Sequence, residues 1–324
     1  MDALRVLAAK LQKRPVALCD SNDVDGIASA ALFKRKYPEG VVVLAGPSEV
    51  KKWWIKAFTW DFVADLPCPG KAKVRADHHK TNAPCAEVEF YDPEAPAAAV
   101  LAAKALGLEE DPVARELVEA AVQTDTADVR DPTVKKLDLA IRYGFAEEKL
   151  AAIEILAKKG LAALDEEPLK TMAARGEEKE KLVLAIAERV PPRETLFIYN
   201  PVHLGISYRA LTIELQKRGA KFVNILVRRA RRRYRLYCGA HKDGVYDCTK
   251  VAVPLGGGGH KYAAGAQIKA PLLDAERPLR TLVEMLKPDV VYVLGPCNNI
   301  GPRCEEIKLP ESLDALMRSG SGER

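Results

Sequence analysis

Two short apolar runs flanking one helix-like stretch constrain the fold of this chain more than any other feature. Residues 15–20 (PVALCD) and 40–45 (GVVVLA) suit strands buried in a parallel sheet. Between them, residues 27–36 (IASAALFKRK) read as an apolar-faced helix that stops before Pro38. Another strand, with a weaker apolar pattern, ends over residues 73–76, and residues 96–106 and 114–123 read as helices. Strands alternating with helices imply a parallel sheet covered on both faces, an α/β fold. Ligands of such sheets gather where strands end and loops begin.

The remaining 200 or so residues change character twice, and a chain of 324 residues allows two domains of roughly 150 each. Residues 135–188 show no strong strand; residues 147–159 and 169–188 are rich in Ala, Leu, Glu and Lys, with Gly160 as a helix stop. Pro191 and Pro192 mark a boundary. Beyond it, strands are expected over 195–199, 221–227, 233–238 and 290–294, with helices over 208–217 and 275–286. The expected organisation is a catalytic domain over 1–132, a helical connector over 133–190, a smaller α/β domain over 191–295 and a tail over 296–324.

Composition removes several classes. Hydrophobic residues make up 48% and charged residues 29%, ordinary for a globular protein. A net charge of +5 excludes a histone-like coat, although a local basic stripe can still bind phosphate. No run of about 18 uncharged apolar residues occurs, so no membrane span is expected. The amino terminus carries Asp2 and reads as an amphipathic helix, not a signal peptide. Seven widely spaced cysteines argue against a disulfide scaffold; reduced thiols and a cytoplasmic location are expected. Scarce Asn and Gln beside plentiful charged residues fit a thermophile.

Four acidic or histidine clusters stand at the expected strand and helix ends. In Asp20-Ser21-Asn22-Asp23-Val24-Asp25-Gly26, Asp23 and Asp25 can each face one of two neighbouring metal ions, whereas an Asx-turn with a helix cap needs only one of them. Asp77-His78-His79 follows a strand and holds two of the five histidines. Three adjacent ionisable groups are costly to bury unless a metal or substrate uses them, and imidazole with carboxylate suits Mn²⁺, Fe²⁺ or Zn²⁺ better than Ca²⁺. Asp65 and Asp125, in Ala64-Asp65-Leu66-Pro67 and Gln123-Thr124-Asp125-Thr126, each read equally as turn or cap alone. Together these side chains could hold two metals a few ångströms apart, an arrangement suited to in-line attack of hydroxide on phosphorus. Further along, Gly256, Gly257, Gly258 and Gly259 run into His260 and Lys261. Exposed backbone N–H groups can cradle an anion there, and a helix starting at His-Lys-Tyr would add its dipole.

These pieces, in this order, resemble the DHH phosphoesterase superfamily in its branch with a C-terminal DHHA1 domain. The resemblance rests on Asn22-Asp23-Val24-Asp25-Gly26-Ile27-Ala28-Ser29-Ala30, Asp65, Asp77-His78-His79, Thr124-Asp125-Thr126 and the run from Gly256 to Gly265. It implies a parallel-sheet DHH domain and a smaller DHHA1 domain with the active site in the cleft between them. The family hydrolyses phosphoesters with divalent metals, usually Mn²⁺, with Mg²⁺ or Co²⁺ as substitutes. It includes RecJ-like exonucleases, nanoRNases, phosphatases of 3′-phosphoadenosine 5′-phosphate, and dinucleotide phosphodiesterases. The similarity implies that Asp23 and Asp65 bind one metal and that Asp25, Asp65, His78 and Asp125 bind the other. It implies that His79 lies beside the scissile phosphate, with Asp77 supporting the imidazoles, and that Gly257, Gly258, Gly259, His260 and Lys261 hold substrate. Two departures stand out. Ser21 and Cys19 occupy positions where relatives carry His or Asp, and Leu236-Tyr237-Cys238-Gly239-Ala240-His241 lacks the relatives' Ser-x-Arg.

Arg228-Arg229-Ala230-Arg231-Arg232-Arg233-Tyr234-Arg235 reads as a hairpin end, either a solvated turn or a phosphate-tracking edge built on Arg231, Arg232 and Arg233. All three Trp lie within residues 51–60, read as an aromatic helix packed into the core, with base stacking as the alternative. Cys297 and Cys304 read as a local disulfide or two inert thiols. The expected function is a two-metal phosphodiesterase or exonuclease, acting on single-stranded RNA or DNA or short oligonucleotides to release mononucleotides. Phosphatase action on small nucleotides, dinucleotide cleavage, and a catalytically weak replication scaffold related to RecJ are the alternatives. A homodimer and DNA replication or repair proteins are the partners this reading allows, and no membrane.

Overall fold

The structure, a computed structural model, describes residues 2–297 and 304–308. Most of the expected tail, residues 296–324, lies outside the described residues. Contacts divide the chain into two units, Met1–Glu178 and Lys179–Arg324. The first unit runs α1 (Asp2–Leu11), β1 (Val16–Asp20), α2 (Val24–Lys36), β2 (Val41–Ala45), α3 (Trp53–Ala57), β3 (Thr59–Ala64), β4 (Lys71–Asp77) and β5 (Ala86–Tyr91). Helices α4 (Ala98–Leu106), α5 (Pro112–Asp125), α6 (Pro132–Tyr143) and α7 (Ala146–Lys159) follow. The strands form one all-parallel sheet in the order β2-β1-β3-β4-β5.

Residue alternation explains why β1 reads as a continuous apolar run. Ala17 and Cys19 face a core shared with Ile27, Leu32, Phe33 and α4, while Val16 and Leu18 face a second core with Val6, Ile55 and Trp60. A strand buried on both faces carries no polar alternation. β3 and β5 escape sequence reading because Asp61 interrupts the first, and the second is a half-exposed edge strand carrying Glu87 and Glu89. The Trp-rich stretch is corrected: α3 spans only five residues, Trp53 is 81% exposed, and Trp60 belongs to β3. Trp60 is fully buried, with Nε1 donating to Ile55 O at 3.0 Å.

Residues 133–190 are helical but divide between the units. Val134, Leu137, Ile153 and Leu156 of α6 and α7 join the first core. The helix α8 (Leu169–Arg189) gives Leu169, Met172 and Ala173 to that core and Val183, Ile186 and Ala187 to the core of the second unit.

The second unit contains β6 (Thr195–Asn200), α9 (Tyr208–Lys217), β7 (Phe222–Ala230), β8 (Arg233–Ala240), α10 (Thr249–Ala252), β9 (Gly258–His260), β10 (Ala263–Lys269), α11 (Arg277–Leu286), β11 (Val291–Val293) and β12 (Cys304–Glu306). They build a mixed sheet in the order β12-β11-β6-β7-β8-β10-β9, parallel from β12 to β7 and antiparallel beyond. The Arg run is the tight connection between β7 and β8.

Two expectations are corrected here. The glycine run does not lead into a helix: β9 and β10 form a hairpin turning at Lys261 and Tyr262, because β10 pairs along β8. A Cβ on Gly257 or Gly259 would stand 2.1 Å from Gly265 O or 2.5 Å from Ala263 O, so these glycines serve close strand approach. The thiols are not all reduced either: Cys68–Cys85 and Cys297–Cys304 are disulfides. Cys68 precedes β4 and Cys85 precedes β5, and these parallel neighbours start side by side, with Ala72 opposite Ala86. Cys19, Cys238 and Cys248 stay free and buried.

Candidate metal centre

The strand order places a topological switch at β1, whose chain neighbours β2 and β3 lie on opposite sides. Ligand crevices open at the carboxyl ends of strands at such a point. Asp20 ends β1, Asp65 follows β3, and Asp77-His78-His79 ends β4. The start of α2 can reach β1 only because residue 26 is glycine; a Cβ there would stand 2.4 Å from Asp20 O.

Each side chain is held by a local device. Asp23 caps α2, its Oδ1 accepting from Gly26 N at 3.2 Å. Asp25 is 1% exposed, and its two oxygens accept from Ala98 N and Ala99 N, both at 2.7 Å. It thereby caps α4, whose own cap residue Ala97 offers no side-chain acceptor. Asp65 sits at φ +57°, a conformation that is strained for a non-glycine residue. His78 Nδ1 lies 3.0 Å from Ala95 O. A carbonyl only accepts, so Nδ1 carries a proton, and in the neutral ring Nε2 presents a lone pair.

That lone pair points into a ring of carboxylates. His78 Nε2 is 3.6 Å from Asp125 Oδ2, 3.7 Å from Asp25 Oδ2 and 3.9 Å from Asp65 Oδ1. His79 Nδ1 is 3.4 Å from Asp65 Oδ1. Two overlapping donor groups result, Asp25-His78-Asp125 and Asp65-His78-His79, with ligand atoms within 4.8 Å of one another in each. Asp65 Oδ1 and His78 Nε2 are buried and have no hydrogen-bond partner. Buried acceptors facing one another without a donor are costly, and a divalent cation satisfies them all. The mixed imidazole and carboxylate set fits Mn²⁺, Fe²⁺ or Zn²⁺.

The electrostatics agree. Burial pushes the Asp25 carboxyl up to about 7 and that of Asp20 up to about 6. It pushes Asp65 well above the usual carboxylate range, and the charges of Asp25, Asp23, Asp20 and Asp125 push further. Asp125 is also raised, burial being the main cause. Asp77 goes the other way. Burial raises it, but hydrogen bonds from His79 and Asn82 and the Arg75 guanidinium outweigh that and hold it low. The Asp77 hydrogen bond in turn raises the imidazole of His79.

The structure thus brings together Asp25, Asp65, His78, His79 and Asp125, with Asp77 behind His79. Asp23 lies outside both donor groups. Cys19 is fully buried, and burial followed by the Asp65 and Asp20 charges raises its thiol far out of the thiolate range. Gly257, Gly258, Gly259, His260, Lys261, Arg231, Arg232 and Arg233 all belong to the second unit. Arg231 and Arg233 are exposed, while Arg232 Nε donates to Ala270 O at 3.0 Å.

Sequence reasoning missed three groups. Arg75, fully buried, donates to Asp77 Oδ2 at 2.8 Å and pairs with Glu89 Oε2 at 3.0 Å. Its position two residues before Asp77 on a strand was the available signal, since such residues share a face. Asn82 Nδ2 donates to Asp77 Oδ2 at 2.7 Å. Lys149 on α7 donates to Ser21 O at 2.6 Å, 128 residues away, and burial lowers its ammonium from the usual range. No local pattern announces it.

No protein-family model matches this sequence, and no curated protein matches it. Solved structures do resemble it. PggH, a pGpG-specific phosphodiesterase from Vibrio cholerae, superposes with a TM-score of 0.63 at 17% identity, over 85% of this chain and 99% of that one. The DHH domain of a member of a family of ribosomal proteins gives 0.58 at 14% identity, over 88% and 89% of the two chains. The exonuclease RecJ bound to manganese gives 0.53 at 15% identity, over 88% and 91%. This chain has the fold of DHH-family proteins, with a five-stranded parallel sheet and a separate mixed sheet.

Proposed function

We propose that this chain is a metal-dependent phosphoesterase that hydrolyses phosphodiester bonds in single-stranded nucleic acid or short oligonucleotides, releasing mononucleotides. The observation that carries the reading is the pair of buried, partnerless acceptors Asp65 Oδ1 and His78 Nε2 at the carboxyl ends of the parallel strands. Asp25, Asp65, His78 and Asp125 would hold divalent cations, with Asp23 as a further carboxylate for a second ion. Such cations neutralise charge on phosphoryl oxygens and make water a nucleophile at neutral pH.

The chain's own groups set the rest. Arg75 and Asn82 fix the Asp77 carboxylate, which accepts from His79 Nδ1 at 3.0 Å. His79 therefore keeps a proton on Nδ1 and, half exposed, presents Nε2 to substrate for hydrogen bonding or proton transfer. In this reading the glycine hairpin with His260 and Lys261, and the exposed Arg231 and Arg233, bind substrate phosphates.

A second reading, cleavage of a linear dinucleotide, is favoured by the likeness to PggH, which this chain covers almost completely. One experiment separates them: labelled RNA and DNA oligomers of about two to ten nucleotides incubated with Mn²⁺, Mg²⁺ or Co²⁺. Cleavage at all lengths is the expected result, and cleavage of dinucleotides alone would select the second reading. Absence of hydrolysis with every metal and length would remove both.

A further inference from the structure

The second unit contains a cavity that the proposed hydrolysis does not use. It encloses about 700 Å³ and is lined entirely by residues between Arg193 and Tyr292. That volume is ordinary for a small-molecule site. Its floor is the sheet face at the start of β6 and β7, where Phe197 lies opposite Asn224 and Thr195 opposite Phe222. Residues before and within α10 supply Tyr246 and Lys250, and the segment after α11 supplies Lys287. No residue of the glycine hairpin lines it.

Three features define what it would take. Asn224 is 1% exposed in the apolar run FVNILV, and its Oδ1, buried at the cavity, has no hydrogen-bond partner. An apolar residue would serve folding better there, since an unmatched buried carbonyl weakens the fold. The atom calls for an N–H donor from outside the chain. Phe222 and Tyr246 stack with ring centroids 4.8 Å apart and planes 7° apart, offering a flat aromatic edge to a planar ligand. At the rim, the ammonium groups of Lys250 and Lys287 make no hydrogen bond or ion pair among the described residues. Three acidic residues, Glu194, Asp247 and Asp289, also line the cavity; Asp247 is engaged by Thr249, Glu194 by Lys221 at 3.7 Å and the Tyr246 hydroxyl at 3.4 Å, and the Arg193 guanidinium by the Tyr292 hydroxyl at 2.6 Å.

We propose that this cavity is a nucleotide-binding site confined to the second unit, taking a nucleoside monophosphate. The base lies along the Phe222–Tyr246 stack and donates an N–H to Asn224 Oδ1. The phosphate meets Lys250 and Lys287. The site stands on its own observations and does not depend on the hydrolytic reading, although hydrolysis of oligonucleotides would generate its ligand.

The test is calorimetric titration of the full chain with AMP, GMP, CMP and UMP, and with ribose 5-phosphate, which has no base, in excess EDTA, so that no metal-centre binding contributes. The expected result is binding tighter than about 1 mM for at least one nucleotide, about 10-fold better than for ribose 5-phosphate, and ribose 5-phosphate binding as tightly as every nucleotide would overturn the proposal. Asn224→Leu should weaken that binding about 10-fold or more and Lys250→Glu about 5-fold, while Asp65→Asn leaves it unchanged. Should Asn224→Leu fail to fold, Lys250→Glu and the rim variant Tyr246→Ser decide. No binding of any nucleotide at about 5 mM, equal binding in the cavity variants, or loss of binding in Asp65→Asn would each overturn the proposal.

Discussion

Asp65 and Asp77 follow neighbouring parallel strands and are equally hidden from solvent, yet their surroundings are opposite. Asp77 receives Arg75, Asn82 and both the backbone and side chain of His79. Asp65 Oδ1 receives nothing and faces the carboxylates of Asp25 and Asp125 across His78. The first carboxylate is complete within the protein; the second is completed only by something added. Residue type and strand position are the same, so neighbours alone would separate a proposed ligand from the group proposed to orient one.

Substitution tests the contrast most strongly. Asp65→Asn should abolish measurable turnover and weaken Mn²⁺ binding by more than the ~10–100-fold typical of an outer partner. At a pH high enough to ionise the raised Asp65 carboxyl, it should also raise the melting temperature of the metal-free protein, because a buried charge without a donor is removed. Asp77→Ala should do the reverse to stability, costing ~1–3 kcal/mol by removing one of the two carboxylates paired with the buried Arg75 guanidinium, which keeps Glu89 and Leu66 O. Activity assays, calorimetry and thermal denaturation in EDTA read all of this; equal stability changes in the two variants would erase the distinction.

Proton linkage provides a smaller effect. Asp20 and Asp25 are pushed up to about 6 and about 7 by burial, so the folded, metal-free chain binds protons more tightly than the unfolded chain. Their contribution to stability is full below about pH 4 and is lost as pH rises through about 7. Cations need the deprotonated carboxylates, so stabilisation by Mn²⁺ should grow between about pH 5 and pH 8. Melting temperatures with and without Mn²⁺ across that range check the sign. The smallest effect belongs to the Arg turn. Arg231→Ala and Arg233→Ala should each reduce the salt slope of oligonucleotide binding by about 1, whereas Arg232→Ala should act mainly through its lost bond to Ala270. Unchanged slopes would make the turn a solvated one.

Asp25, His78 and His79 are legible in the sequence because they stand beside elements that it reads, whereas Asp65 follows a strand that it does not. Asp25 opens a helix buried on nearly every side, and Asp77-His78-His79 closes a strand. β3 stays hidden because Asp61 breaks its apolar run while serving Lys10, Lys73 and the Val16 amide from remote positions. Lys149 and the Cys68–Cys85 disulfide escape for the same reason: distant segments made adjacent by the sheet decide both. The glycine hairpin shows the limit of local reading most plainly. Its residues would suit a helix start, but pairing with β8 overrides that choice.

The double bond from Asp25 to the first turn of α4 carries one more consequence. A single carboxylate serves both the amides of Ala98 and Ala99 and the ring around His78. Any ion drawing on that charge competes with the helix for it, and any order gained by the helix presents the carboxylate to the ion in a fixed pose. Occupancy of the proposed centre and the stability of a helix more than seventy residues downstream would therefore be thermodynamically coupled.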